Sequence, residues 1–236
     1  VDGSILPGML GLEAGQSAFG DVYAWFAKLL MWPVEEIISG MTWIDKSIRE
    51  KIREEVSESM IAGLSKAAEK IKDEETALIA LDWLNGRRTP FANQELKGAI
   101  TGITLGSDAP RIFRALVEAT AFGAKMINDR FISEGVKIDG VIAIGGVAKK
   151  NPFVMQIVAD VLNVPIRVAS SDQTVALGAA MAASVVAGVH PDMTAAQKAM
   201  GGGFEKVYKP DPVSARRYET LFSKYKKLGE FVEKEM

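Results

Sequence analysis

The chain has 236 residues, 48% of them hydrophobic and 25% charged, with 28 basic against 30 acidic side chains and a formal net charge of -2. That is the mixture of a folded protein with a sizeable core, and it supplies no broad basic field for nucleic acid. The absence of Cys and the presence of a single His exclude disulfides, thiolate nucleophiles, Cys-ligated metals and multi-histidine zinc sites, so no metal site is expected.

Residues 3–15, GSILPGMLGLEAG, alternate apolar residues with glycines and predict a short strand or hairpin arm running into a turn at Gly15. From Ser17 a helical pattern sets in, with Phe19, Val22, Tyr23, Phe26, Leu29 and Leu30 on one side, until MWPVEE breaks it. Residues 35–73 are charged and carry Ile44, Ile48, Ile52 and Val56 at helical spacing, then Met60, Ile61 and Leu64, which predicts one or two surface helices clasping a core. Residues 77–93 read as an apolar strand followed by a turn at Asn85-Gly86, and residues 97–106 as a β-branched, glycine-punctuated segment. A long helix is predicted over 109–135, opened by Pro110 and stopped by Gly135.

Residues 138–146, IDGVIAIGG, predict a buried strand ending in a glycine pair. A helix over 151–162 follows, with Asn151 as cap and Pro152 in its first turn, then a strand over 164–170 and a helix over 172–188 with Asp172 as cap. The apolar run at 174–189 is shorter than the roughly 18 residues of a membrane span and reads as a buried helix; no signal peptide opens the chain, and a cytoplasmic protein is expected. A last helix runs from about 212 to 234, with Tyr218, Leu221, Phe222, Tyr225, Leu228 and Phe231 facing inward. Strand, helix, strand, helix predicts an α/β layer architecture. Trp25, Trp32, Trp43 and Trp83 are assigned to core or interface packing.

Two glycine turns carry the candidate chemistry. In AIGGVAKKNPF a strand ends in Gly145-Gly146, where the backbone can approach a ligand closely and the following helix offers free N–H groups to a nucleotide or phosphate. Neither a Walker loop nor a dinucleotide fingerprint is present, and a tight turn before a capped helix is the plain alternative. Gly15, Gln16 and Ser17 form the second turn, with Asp21 placed for the helix dipole. Glu13, between Leu12 and Ala14, is a candidate for hydrogen bonds to sugar hydroxyls, or a surface carboxylate. Lys149 and Lys150 suit phosphate neutralisation or plain solvation; Thr101 and Thr104 suit a sheet face better than a phosphate. Glu118 is placed to fix a neighbouring loop, or is exposed.

Several of these segments together resemble one family. GAITGITLGSDAPRIFRALVEATAFGAKMI resembles the second signature of the FGGY carbohydrate kinases, with Arg114, Ala115 and Glu118 in its helix; Arg111 departs from the smaller or acidic residue usual there. GGVAKKNPFVMQIVADVLNVPI is similar to that family's adenosine-binding segment through Gly145, Gly146, Asn151, Gln156 and Asp160, with Lys150 the alternative to Asn151. DWLNGRRTPFAN is similar to its L-x-G-E-R-x-P segment through Asn85, Gly86, Arg88 and Pro90, and PGMLGLEAGQSAFGDVYAWF looks like the branch that phosphorylates L-ribulose.

The resemblance implies an ATP-dependent sugar kinase with the actin-like, ribonuclease H-like α/β fold. Residues 1–236 would form its C-terminal domain, truncated at the N-terminus, as the start at Val1 suggests, with a helical insertion at about 35–73. It implies that Gly145, Gly146 and Asn151 border the adenosine of ATP, that Gly15 and Gln16 approach the phosphates, and that Glu13 touches L-ribulose. The catalytic Asp is expected upstream of Val1, so no catalytic residue is assigned here and the chain alone is expected to be inactive. Mg would be held by the nucleotide and by an N-terminal kinase domain acting in cis, and a homodimer stays open. Kinases of xylulose or glycerol, and an ATPase module of the actin or heat-shock chaperone kind, are the other readings.

Overall fold

Eleven consecutive residues of one helix, Phe113 to Gly123, are buried. In the computed structural model, which describes residues 3, 5–72 and 78–235, this helix, α3 (Ala109–Ser133), is the axis of the molecule. Asp108 caps it by accepting from the Arg111 N–H at 3.0 Å, and Pro110 occupies its first turn, where a missing N–H costs nothing. Helices α1 (Gly20–Leu30), α2 (Lys46–Ala68), α5 (Pro152–Leu162) and α8 (Pro212–Glu235) pack around it. Ala115, Ala119, Ala121 and Gly123 let these neighbours come close, while Phe113 meets Tyr23 edge-on and stacks on Phe26 at 6.5 Å between ring centroids. Each large apolar side chain buried this way contributes about 1.5–3 kcal/mol.

The α/β part lies beside this axis. Strand β3 (Val141–Ala143) runs into α4 (Gly146–Lys150) and α5, and returns as β4 (Ile166–Ala169), parallel to β3 with Ile142 opposite Arg167. On its other side β4 pairs antiparallel with β5 (Phe204–Tyr208), which leaves β3 at one edge of the sheet. Ile166 and Val168 join the core, whereas Arg167 points outward over the Phe204 ring, as the period of a strand requires. Strands β1 (Ile79–Ala80) and β2 (Ile100–Thr101) form a separate antiparallel pair of two residues each. Helices α6 (Thr174–Val186) and α7 (Met193–Met200) pack on one another.

Several expectations change. Residues 5–19 form turns and irregular chain instead of a strand, because Gly8 takes φ +74° and Met9 folds back to donate to the Leu6 carbonyl at 3.1 Å. The helix after Ser17 starts at Gly20, and MWPVEE does not end helical structure but continues it as a π-helical turn, Pro33–Ile38. Within 35–73 there is one long helix, α2, which buries only Leu64, Ser65 and Ala68 near its C-terminal end; Asp73 lies outside the described residues. Helix α6 is exposed, not buried: only Met181 is covered, while Val175 is 80% and Val186 90% accessible. Its cap position is Gln173, and Asp172 faces Lys149 at 3.1 Å instead. Trp83 is in the core, but Trp25, Trp32 and Trp43 are exposed.

Candidate functional site

The β3–α4 turn keeps its backbone open. Gly145 has φ +86° and ψ -179°, a conformation that favours glycine, and Gly146 begins α4. A Cβ at either position would meet nothing within 4 Å among the described residues.

Asn151, at the far end of α4, has its side chain committed. Its Oδ1 accepts from the Val154 N–H at 3.1 Å and caps α5, while its Nδ2 donates to Ser65 Oγ at 2.9 Å and ties α5 to α2. Replacement by alanine should cost about 1–2 kcal/mol in urea denaturation through the lost cap. Asp in its place keeps the cap and loses the donor to Ser65, and should fall between. An alanine variant as stable as the parent would contradict this. Lys149 is likewise spent on the fold, donating to the Ser170 carbonyl at 2.7 Å and to Glu205 at 2.8 Å, and the Glu205 and Asp172 carboxylates raise its pKa.

The helix that follows the second turn comes close to the one that follows the first. Gly20, which opens α1, stands so that a Cβ there would lie 3.4 Å from Val147 Cγ2 of α4. The start of α1, which follows the Glu13–Ser17 stretch, thus comes close to α4, which follows the glycine pair. Glu13 is exposed, and the Arg88 guanidinium lies over Gly15, where a Cβ would come within 2.9 Å of it. Gln16 is anchored: its Nε2 donates to Asp82 Oδ2 at 2.6 Å and to the Thr120 carbonyl at 2.9 Å. Behind it is a cavity of about 180 Å³, lined by Gln16, Ser17, Asp82, Arg88, Phe91 and Tyr225 among others. Ser17 Oγ is buried there without a hydrogen-bond partner among the described residues.

Asp82, Thr120 and Tyr225 are the residues that the sequence reading left out of the site. Asp82 is 4% exposed and accepts from the Tyr225 hydroxyl at 2.7 Å as well as from Gln16. Burial pushes its pKa up, opposed by these two donors, and burial pushes the Tyr225 hydroxyl up as well. A carboxylate inside the apolar run ALIALDWL was the available signal. Glu118 is buried, not exposed: it pairs with Arg114 at 3.1 Å and with Arg217 at 3.5 Å, and Arg114 donates to the Ile71 carbonyl at 2.6 Å. The loop after β2 turns on itself, with Thr104 Oγ1 accepting from the Gly106 N–H at 3.2 Å. Among the described residues, no group of three or more His, Cys, Asp or Glu is placed to hold a metal ion, and no helix is long and apolar enough to cross a membrane.

Residues 1–187 match the profile of the FGGY family of carbohydrate kinases, C-terminal domain. The chain belongs to this family. Among curated relatives, a ribulokinase of Vibrio parahaemolyticus is 48% identical over 237 aligned residues, which cover 99% of this chain and 40% of that protein. The chain thus spans about 40% of the length of the relatives it matches. A ligand-bound xylulose kinase from Lactobacillus acidophilus superposes with a TM-score of 0.72 at 23% identity, over 93% of this chain and 39% of that one. Plasmodium falciparum glycerol kinase with ADP gives 0.60 at 23%, over 70% of this chain and 33% of that one. These likenesses show the α/β fold of a sugar-kinase C-terminal domain, consistent with an actin-like ATPase fold.

Proposed function

We propose that this FGGY domain is the nucleotide-binding portion of an ATP-dependent kinase that converts L-ribulose and ATP into L-ribulose 5-phosphate and ADP. The observation that carries the reading is the identity of 48% to a ribulokinase along almost the whole chain; the xylulose and glycerol kinases share the fold at 23%. In this reading residues 1–236 act as a single second domain with 35–73 an insertion in it.

Phosphoryl transfer depends mainly on positioning and on neutralising charge. The open backbone at Gly145 and Gly146 would border adenosine, with Asn151 contributing from the end of α4; its side chain is already occupied, so its part would be to hold the turn. Gly15 and Gln16 would approach the phosphates, with Arg88 beside them, and Glu13 would accept hydrogen bonds from ribulose hydroxyls. The base that takes the proton from the terminal hydroxyl is assigned to no residue of this chain. Mg would neutralise phosphate charge when bound, held by the nucleotide and by residues beyond these 236, in the N-terminal kinase domain that completes the cleft.

Calorimetric titration of the 236-residue chain with ADP tests the nucleotide assignment, with binding expected at a Kd of about 1 mM, roughly 4 kcal/mol. Gly146→Leu is the informative variant, since nothing lies within 4 Å of the new Cβ and the fold should be undisturbed. Loss of ADP heat with an unchanged melting curve supports the site; equal binding by the variant sinks it. The chain alone should not turn over ribulose.

A further inference from the structure

The link between Gln16 and Asp82 joins residues 66 positions apart, and its geometry permits only one orientation. Gln16 Nε2 faces two acceptors, Asp82 Oδ2 and the Thr120 carbonyl, so both of its hydrogens are used and the amide cannot rotate without setting its oxygen against another oxygen. Asp82 is fixed in turn by Tyr225 of α8 through its other oxygen. Gly123 of α3 makes room for the pair: a Cβ there would stand 2.4 Å from Asp82 Oδ2 and 2.5 Å from Gln16 Nε2. The irregular segment that carries Glu13 and Gly15 is thereby clamped to α3, α8 and the end of β1.

A buried carboxyl is costly, and an apolar residue would pack there at lower cost. Its retention among Leu81, Trp83 and the α3 backbone makes sense where the geometry of an acceptor is needed. We infer that Asp82 is a positioning residue: by holding Gln16 it sets the place of the Glu13–Gly15 segment, and so governs the sugar and phosphate end of the proposed site more than its adenosine end. The inference rests on the proposed reading of Glu13 as a sugar contact.

Asp82→Asn is the nearest isosteric test. The oxygen of the new amide can still accept from Tyr225, but its nitrogen then faces Gln16 Nε2, donor against donor. In the 236-residue chain, hydrogen–deuterium exchange of amides in residues 13–19 should rise about tenfold, while the 152–162 peptide of α5 stays protected as before. In the full-length protein carrying this chain, KM for L-ribulose should rise about tenfold, while the affinity for adenosine, which carries no phosphate to meet Gly15 or Gln16, stays within about twofold. Gln16→Met, which cuts the same link from the other side, should reproduce both results if the first variant folds poorly. Unchanged exchange at 13–19, or a rise spread evenly over the molecule, overturns the inference. So does a loss of adenosine affinity as large as the change in KM for L-ribulose. A parent protein that phosphorylates no ribulose would refute the proposed reaction instead, and the exchange experiment would still decide the role of Asp82 in holding the segment.

Discussion

Replacing Glu118 by alanine is expected to lower the stability of the chain by about 3–5 kcal/mol. The carboxylate sits inside α3 with its side chain 3% exposed, against an Arg114 side chain that is 8% exposed. Arg217 and the Tyr218 hydroxyl also reach it, at 3.5 and 3.4 Å. Burial pushes the Glu118 pKa up, and the two arginines pull against that shift. Forming such an ion pair gains little over an apolar pair, but removing one partner strands the other charge away from water, which is why the expected loss is large. Glu118→Gln keeps an acceptor for Arg114 and should lose less. Equilibrium urea denaturation of the three proteins measures the order; an alanine variant within about 1 kcal/mol of the parent would show that Arg114 finds water or another partner.

The second large effect is expected at Gly123. Alanine there gains about 1 kcal/mol of helix propensity, yet its methyl would overlap both Asp82 and Gln16, at 2.4 and 2.5 Å. Both contacts are members of a buried hydrogen-bonded pair, so neither can move aside freely. Overpacking of about 1–3 kcal/mol and a broken buried hydrogen bond of similar size outweigh the propensity, for a net loss of about 2–4 kcal/mol. Gly63 is the control, because it lies within α2 with nothing within 4 Å of a Cβ. There the same change should stabilise by up to about 1 kcal/mol. Thermal or urea melts that placed the two variants together would defeat the explanation.

What could be read from the sequence was local. Asn151 followed by Pro152 announced a capped helix, and α5 begins at that residue. The apolar runs before and after it became the parallel strands β3 and β4, although β3 spans only Val141–Ala143 and, as an edge strand, leaves Ile142 exposed instead of buried, and Pro110 marked the start of α3. Burial was harder to read. The Ala- and Val-rich run of α6 has the composition of a core helix, but composition does not say whether a covering surface exists, and none of the described residues covers Val175 or Val186. The same holds for Trp25, Trp32 and Trp43 against Trp83: only the last is met, by α8, whose Gly229 lies against its ring. At the site, the glycine pair was visible because it ends a strand. The anchoring of Gln16 was not, since its partners stand 66 and 104 positions away and no local pattern joins them.

Helix α2 enters the common core only from Met60 onward, and none of its residues from 46 to 59 belongs to that core or packs on it. Its other end meets the π-helical turn Pro33–Ile38, with Arg49 donating to the Ser39 carbonyl just beyond it, so helix and turn together can lengthen or shorten by steps of about 5.4 Å while the residues around α3 keep their packing. Evolution is therefore free to reshape what this side of the protein touches while the machinery around the two glycine turns stays as it is.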